Sequence, residues 1–305
     1  MTAAQVPDPA APTASEARIL DRGYRAYTGP RLGVRGALRS LVLHSMQRAL
    51  GLKRPFWQKI LPALAVFIAY VPAIVFVGLA VFLSDTLLEN TDLLPTYADY
   101  YSFISAAIVV FTAFVAPELL CTDRRTGMLG LYLASPLTRN TYLLGKAIAT
   151  VALLALVTLG PPLFLLIGLT IVGQGPDGPL DLLTLLGQMV LGGLAVAVLP
   201  ASLSMAVSAT TSRKAAASAA IILILLASSA VSSALVEGAE ASPLFFCLDL
   251  LGLPFEMVQR IYDSPTGVDA AFSVTTGTIV AAYVAWTAAF SLFTWLRYRR
   301  LTVTR

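Results

Sequence analysis

Charged side chains are scarce in this chain. Of its 305 residues, 12% are Asp, Glu, Lys or Arg and 57% are hydrophobic, and the mean hydropathy is +0.78. A soluble domain has about 25% charged residues, because it needs a polar exterior to remain in water. The composition therefore excludes a soluble enzyme and a disordered chain, and it indicates a polytopic membrane protein.

Histidine and cysteine are also rare. The chain has one histidine, His44, and two cysteines, Cys121 and Cys247. Metal sites and disulfide frameworks need several such residues at characteristic spacings, so the sequence predicts no metal site, no catalytic residue and no disulfide scaffold. The net charge is +4, and the basic residues lie beside apolar segments. This arrangement predicts contact with the lipid bilayer and not with nucleic acid.

Six intervals without a charged residue are long enough to cross a bilayer. About 20 apolar residues in a helix span the roughly 30 Å of hydrocarbon. The sequence therefore predicts an all-α fold with six transmembrane helices, within a transmembrane domain over residues 60–296. The intervals are Ile60–Ser84, Tyr100–Pro117, Ala147–Pro176, Leu182–Ser212, Ala215–Val236 and Ala270–Leu296.

Basic and acidic residues lie on opposite sides of these intervals. Of the 21 basic residues, all but Arg260 fall on one side, whereas most of the 17 acidic residues fall on the other. Loops rich in Lys and Arg stay in the cytoplasm. The sequence thus predicts a multi-pass protein of the plasma or inner membrane with both termini in the cytoplasm, including the tail 297–305.

The region before the first interval has two parts. Residues 1–17 are rich in Ala and Pro and are expected to be a disordered tail. Residues 18–59 are basic, and apolar residues recur at helical spacing from Val34 to Ala49, with Arg48 on another face. We expect a cytoplasmic amphipathic helix in the headgroup layer, with contact to a cytoplasmic partner as the alternative.

A second apolar stretch lies between the fifth and sixth intervals, on the acidic side. The residues from Pro243 to Pro254 are too few to cross the membrane. Irregular backbone at membrane depth must be covered by protein or water. We therefore expect a short helix or a re-entrant hairpin at the extracellular face, and both a packed lid and an exit gate stay open.

The segment between the second and third intervals combines charge with apolar residues. A charged start is followed by a leucine-rich stretch after Gly127, a turn at Pro136, and the third interval. The leucine-rich stretch is too apolar for a free loop, so it contacts lipid, the bundle or a docked protein. Arg139 and Lys146 are expected to anchor the third helix at the membrane interface.

This segment resembles the signature of permease subunits in the type-2 ABC exporter family. Their pattern is an acidic–basic pair, a Gly, a leucine-rich helix, a Pro, a small polar residue with Arg, and Leu-Gly-Lys. Many relatives carry Arg immediately before that Pro, and the role of that Arg is not carried over to Ser135. The matching residues are Asp123-Arg124, Gly127, Leu131-Tyr132-Leu133, Pro136, Thr138-Arg139 and Leu144-Gly145-Lys146.

The resemblance implies a half-transporter that forms the translocation pathway as a dimer, with a homodimer expected. A coupling helix within Glu118–Arg139 would dock on a separate cytoplasmic ABC ATPase, present in two copies. ATP and Mg²⁺ would be held by that partner, and this chain would bind no cofactor. The residues implied in ATPase coupling are Glu118, Asp123, Arg124, Arg125, Gly127, Leu131, Tyr132, Pro136, Arg139 and Lys146.

A phosphate-binding loop is absent from the sequence. Such a loop needs a Gly five residues before its Gly-Lys and a Ser or Thr after it. Around Gly145-Lys146 these positions are Asn140 and Ala147. The chain is therefore predicted not to be an enzyme.

Two other functions remain as alternatives: an ion-coupled secondary transporter, and a membrane assembly or maturation factor without transport. An ion-coupled transporter usually needs ionisable residues within its spans, and the six intervals contain none. Hydroxyl groups in the fifth interval are the candidates for a substrate pathway, with packing of small residues as the alternative reading. These candidates are Ser228, Ser229 and Ser232.

Overall fold

The computed structural model describes Gly29 and residues 32–52, 57–83, 94–134, 136–264 and 273–300. The chain divides into two units, Met1–Leu32 and Gly33–Arg305. Only Gly29 and Leu32 of the first unit are described, and every element below belongs to the second. Within the described residues all regular secondary structure is helical, as the sequence predicted.

Eleven α-helices are numbered here in chain order over the described residues. Two further short segments are not α-helical: a π-helical turn at Ala234–Gly238 and a 3₁₀-helix at Pro243–Leu248. The α-helices are α1 (Gly33–Ala49), α2 (Trp57–Phe82), α3 (Tyr100–Phe103), α4 (Ser105–Arg125), α5 (Met128–Ala134), α6 (Arg139–Thr158), α7 (Gly160–Val172), α8 (Pro179–Ser208), α9 (Lys214–Ser233), α10 (Gly252–Ile261) and α11 (Thr276–Arg299).

Six helical segments are long and apolar enough to cross a membrane, which confirms the predicted number among the described residues. The third consists of α6 and α7, and the fifth continues from α9 into the π-helical turn. These segments are Pro62–Phe82, Ser105–Arg125, Arg139–Val172, Pro179–Ser208, Lys214–Gly238 and Thr276–Arg299.

The two ends of the bundle differ in charge. Arg124, Arg139 and Arg299 lie at one end, which we call the basic end, whereas Asp99 and Glu237 lie at the other, the acidic end. Helix α4 is central and contacts α1, α2, α6, α8 and α9. Helix α11 is peripheral, since only 11% of its most apolar stretch is buried, against 65% for α4.

The second spanning helix is longer than predicted. The sequence analysis ended it at Pro117, but α4 continues through this proline to Arg125. A proline removes one backbone hydrogen bond, and buried contacts beyond it hold the helix, since Leu119 and Leu120 are completely buried. Glu118, Asp123, Arg124 and Arg125 therefore lie on the last turns of α4 and not in a separate helix after it.

The third spanning segment also begins earlier than predicted. Helix α6 starts at Arg139 and not at Ala147, because Thr138 and Thr141 form a capping box in which each side chain accepts from the other residue's backbone N–H. The segment is interrupted at Leu159 between α6 and α7, and Pro161 and Pro162 follow in the first turn of α7.

The amphipathic helix predicted before the first span is α1. Its buried residues Leu41, Ser45 and Ala49 contact α6 and α4, so this helix is packed against the bundle. His44 is exposed. The predicted disordered tail 1–17 lies outside the described residues.

The segment between the fifth and sixth spans forms two short helices, the 3₁₀-helix and α10, and its predicted position at the extracellular face stays a prediction. The carboxylate of Asp249 accepts hydrogen bonds from the backbone N–H groups of Leu251 and Gly252 at 3.0 and 2.8 Å, and so begins α10. The indole N–H of Trp286 in α11 donates to the carbonyl of Cys247 at 2.9 Å. These contacts pack the segment against the bundle. Residues 265–272 and 301–305 lie outside the described part of the chain.

Helix α8 crosses the break between α6 and α7 at Gly193. The hydroxyl of Thr158 donates to the carbonyl of Gly193 at 2.8 Å. A Cβ atom on Gly193 would lie 3.2 Å from the carbonyl oxygen of Thr158 and would also meet the side chain of Leu159. This crossing therefore requires a residue without a side chain.

Gly193→Val is expected to lower the free energy of unfolding by about 1–3 kcal/mol, because the added methyl groups force the two backbones apart. Gly187→Val on the same helix is the control, since nothing lies within 4 Å of a Cβ there, and it should change stability by less than about 0.5 kcal/mol. Denaturant unfolding of the purified chain in detergent measures both. Equal losses would contradict this account of the crossing.

Candidate functional site

A buried cluster of charged residues lies at the basic end, around Asp123. One carboxylate oxygen of Asp123 is 2.6 Å from Nη2 of Arg48 on α1, and the other is 2.7 Å from Nζ of Lys146 on α6. The hydroxyl of Tyr142 donates to the same carboxylate at 2.9 Å. The side chains of Asp123 and Lys146 are completely buried. The cluster therefore joins three helices away from water.

Gly145 and Lys146 explain how α1 reaches the cluster. A Cβ atom on Gly145 would lie 2.8 Å from a methyl group of Leu41 and 2.9 Å from one of Leu38, so the glycine lets α1 approach α6 closely. The ammonium group of Lys146 then donates to the hydroxyl of Ser45 on α1 at 2.9 Å. The Leu-Gly-Lys sequence thus combines a close helix contact with a buried charge.

The position of Lys146 corrects the sequence prediction. Lys146 was expected to anchor the third helix at the membrane interface, but its side chain has no exposed surface. It lies about 10 Å along α6 from Arg139, at 1.5 Å per residue. Its charge is tolerated there because the carboxylate of Asp123 and the hydroxyl of Ser45 replace water.

Arg48 also binds the backbone of α4. Its guanidinium donates to the carbonyl oxygens of Glu118 and Leu119 at 3.5 and 3.2 Å, and its side chain is 15% exposed. Two cations and one carboxylate meet in this cluster, so the backbone carbonyls supply part of the balancing negative charge. Removing the carboxylate would leave two buried cations without a counterion.

A second set of contacts joins the end of α4 to α9. Glu118 forms an ion pair with Lys214, the first residue of α9. The guanidinium of Arg124 donates to the carbonyls of Ala209 and Thr211 in the turn before α9, at 2.6 and 3.3 Å. Arg125 is exposed. The last turns of α4 are therefore fixed to α1, α6 and α9 together.

The short helix α5, which we call the elbow helix, follows Gly127. This glycine has φ of +68°, a left-handed conformation that suits glycine, and it turns the chain out of α4. In the elbow helix the side chain of Leu131 is 65% exposed. The elbow helix therefore presents an apolar side chain at the surface of the basic end.

Tyr132 has a different environment from Leu131, although the sequence analysis assigned both to docking. Tyr132 is half-buried, with its ring centroid 5.6 Å from that of Tyr142 and 5.7 Å from Nζ of Lys146. Burial, and to a smaller extent the nearby carboxylate of Asp123, raise the pKa of Tyr132 above its ordinary value of 10.0. Tyr132 thus connects the elbow helix to the buried cluster as a neutral phenol.

The remaining coupling candidates lie near the start of α6. Pro136 is exposed, and Ser135 lies outside the described residues. The guanidinium of Arg139 donates to the carbonyl of Arg299 at 2.7 Å and so ties α6 to the end of α11. Arg139 is exposed, and its predicted role as an anchor at the membrane interface stays a prediction.

The three serine candidates of the fifth span lie at the acidic end. Ser228 accepts from the backbone N–H of Leu250 at 3.2 Å. Ser229 donates to the carboxylate of Asp249, and Ser232 donates to the carbonyl of Phe245, each at 3.2 Å. All three therefore fasten the segment between the fifth and sixth spans to α9.

Two of these serines also line a cavity of about 440 Å³. Ser229 and Ser232 share its wall with four carboxylate residues, and no Lys or Arg is among the described residues that line it. Burial raises the pKa of Glu256 above its ordinary value of 4.5, against the opposing effect of Arg260. The four acidic residues are Asp99, Glu237, Asp249 and Glu256.

Two residues of the cluster around Asp123 were not predicted from the sequence. Arg48 was placed on a polar face of the amphipathic helix, and Tyr142 carried no assignment. The sequence offers one signal for a buried contact of Arg48: it lies on α1 next to Ala49, one of the buried residues of that helix. Among the described residues, no group of three or more His, Cys, Asp or Glu side chains is arranged so that it could hold a metal ion.

A double-mutant cycle tests the Asp123–Lys146 pair. Asp123→Asn and Lys146→Met are each expected to lower the free energy of unfolding by about 3–5 kcal/mol, because each leaves a buried partner uncompensated. The double variant should lose clearly less than the sum of the two. Denaturant unfolding in detergent provides the measurement.

The Glu118–Lys214 pair, which joins α4 to α9, is the matched control, since its side chains are 14% and 30% exposed. Glu118→Gln and Lys214→Gln should show a coupling of no more than about 1 kcal/mol. Additive losses at Asp123 and Lys146 would contradict the assignment of a coupled buried pair.

Comparison with known proteins does not assign this chain to a family. No model of a known protein family matches this chain. No curated protein matches it significantly either. The function is therefore inferred from the residues and the geometry of the two sites.

Proposed function

We propose that this chain is the membrane-spanning permease subunit of an ATP-driven exporter of the type-2 ABC class. In this proposal two copies form the translocation pathway, and two copies of a separate cytoplasmic ATPase bind at the basic end. The observation that carries it is the elbow helix, which exposes Leu131 while Tyr132 contacts the buried cluster.

The elbow helix is suited to transmit force. It is separated from the end of α4 by only Thr126 and Gly127, and Tyr132 contacts Tyr142 on α6. A push on this helix therefore reaches α4 and α6 directly. The ion pairs of Asp123 and Glu118 extend the connection to α1 and α9.

The charge distribution supports a cytoplasmic position for the elbow helix. Arg124, Arg125 and Arg139 flank it, and basic residues near spanning helices favour the cytoplasmic side. Under this proposal the ATPase would bind from that side. Energy would come from the partner, since the sequence around Gly145-Lys146 lacks the pattern of a phosphate-binding loop.

The cavity at the acidic end would then be the exit of the pathway. It lies between the start of α4, the end of α9 and the outer short helices. Glu256 is paired with Arg260 at 2.7 Å. The other three carboxylates, Asp99, Glu237 and Asp249, favour a cargo with a cationic group, because no basic side chain is among the described residues that line the cavity. The hydroxyl groups of Ser229 and Ser232 add hydrogen-bonding capacity.

An ion-coupled secondary transporter is the second candidate, and one specific observation favours it. Asp123 and Lys146 form a buried titratable pair within the spanning segments, whereas the sequence analysis expected no ionisable residue there. The pair lies near the helix ends at the basic end, and such transporters usually bind near the membrane midplane. The exporter is therefore the better supported function.

The exposed leucine of the elbow helix provides the test. Leu131→Asp is expected to lower ATP-dependent transport by roughly tenfold, because it places a charge in an apolar contact with the ATPase. Folding and insertion should be unchanged, since Leu131 is exposed. The measurement uses proteoliposomes that contain the chain together with the ATPase that co-purifies from its native membranes.

Leu52→Asp is the control, because Leu52 is 57% exposed in the turn after α1 and outside the elbow helix. This variant should retain full transport. Unchanged ATP-dependent transport in Leu131→Asp would contradict the proposed docking position of the ATPase. Transport driven by an ion gradient in the chain alone, without nucleotide, would favour the second candidate instead.

A further inference from the structure

A groove at the basic end lies between α6 and α11, with α8 as its floor. Two adjoining cavities form it, of about 330 and 240 Å³, and both are lined by Asn140, Leu143 and Trp295. The first lies nearer the ends of the helices and includes Arg139 and Arg299. The second extends further along α6 toward Ala147. The groove thus has a charged outer part and an inner part.

The outer part is positively charged and held in place by several contacts. The guanidinium of Arg139 donates to the carbonyl of Arg299 at 2.7 Å. The guanidinium carbon of Arg299 lies 5.1 Å from the ring centroid of Trp295, a cation–π contact, and the indole N–H of Trp295 donates to Asn140 at 3.1 Å. Two exposed guanidinium groups are therefore positioned at one cavity.

The charge of this cavity is not balanced by its own wall. No Asp or Glu is among the described residues that line either cavity. The positive dipole end of α6 and the negative dipole end of α11 meet here and offset each other, so the positive charge of the cavity comes from Arg139 and Arg299. Guanidinium groups bind phosphate through paired, charge-assisted hydrogen bonds. The outer part of the groove is therefore complementary to a phosphate group.

The inner part is lined mainly by apolar surface and is open at the surface of the bundle. Leu144 is 53% exposed there, and Met205 of α8 contributes to the floor. Helix α11 forms one wall and is the least buried of the spanning helices described. A free inorganic anion would fill only the outer part. An acyl chain attached to the phosphate would also cover the exposed apolar surface of the inner part.

We propose that this groove is a binding site for one anionic phospholipid, with its phosphate between Arg139 and Arg299 and an acyl chain along Leu144 and Ala147. Basic pockets between spanning helices on the cytoplasmic side are suited to anionic headgroups, and tryptophan is favoured at the membrane interface. The site does not depend on the proposed export function. It requires only that the six helices lie in a bilayer.

Trp295 provides a built-in reporter, because it contributes to both cavities. The full chain with Trp57→Phe and Trp286→Phe retains it as the single tryptophan. This chain is placed in phosphatidylcholine bilayers that contain a small fraction of phosphatidylglycerol or phosphatidylcholine with brominated acyl chains. Bromine quenches tryptophan fluorescence at short range, so quenching reports which lipid occupies the groove.

Brominated phosphatidylglycerol is expected to quench Trp295 more strongly than brominated phosphatidylcholine at the same fraction. Arg139→Gln with Arg299→Gln should lower this preference by roughly tenfold or more, from the contribution of two arginines near an anionic headgroup. Ala147→Phe, which keeps every charge but fills the inner part, should also lower it. The second variant keeps the test decisive if the first folds poorly.

Arg297→Gln with Arg300→Gln is the matched control. It also removes two positive charges from the basic end, but neither residue lines the groove. The preference for phosphatidylglycerol should therefore remain. An equal loss in this control would show general attraction to the surface and would overturn the proposal. Equal quenching by the two brominated lipids would overturn it as well.

A competition experiment distinguishes a lipid from a free phosphate. Unlabelled phosphatidylglycerol should restore the fluorescence of Trp295, whereas inorganic phosphate at the same concentration should not. Displacement by inorganic phosphate at equal concentration would mean that the groove binds the anion without the acyl chain, and the proposal for a phospholipid would be wrong.

Discussion

The carboxylate of Asp123 is the point at which the basic end of this protein is held together. It is completely buried and pairs with Lys146 on α6 and Arg48 on α1. A buried ion pair adds little net stability, because desolvation of the charges offsets their attraction. Its consequence is geometric, since any arrangement that separates these helices leaves a buried charge uncompensated. The relative positions of α1, α4 and α6 follow from this requirement.

Helix α4 connects this cluster to the opposite end of the bundle. It begins beside the acidic cavity, near Ser105, and ends at Arg125 beside the elbow helix. Helix α9 runs in the opposite direction. It begins at the ion pair of Lys214 and ends at the serines that bind the segment between the fifth and sixth spans. Two long, packed helices therefore connect the two ends of the bundle.

Much of the fold could be predicted because crossing a bilayer imposes a local requirement. A run of apolar residues must be helical, since its backbone groups find no water to bind, and this gave the correct number of spanning helices. The helix ends were less accurate. The charge-free intervals place boundaries at Pro117 and Ala147, but α4 extends to Arg125 and α6 begins at Arg139. Charged residues are tolerated within both helices because Asp123 and Lys146 neutralise each other.

The sequence by itself determined the helical class, the number of spans and the separation of basic from acidic residues, because each depends on composition within short segments. Tertiary structure decided which residues meet. The pairing of Arg48 with Asp123 joins positions 75 residues apart, and the groove brings Arg139 to Arg299. No pattern within either segment encodes these contacts, since they arise only when α1 packs against α4 and α11 packs against α6.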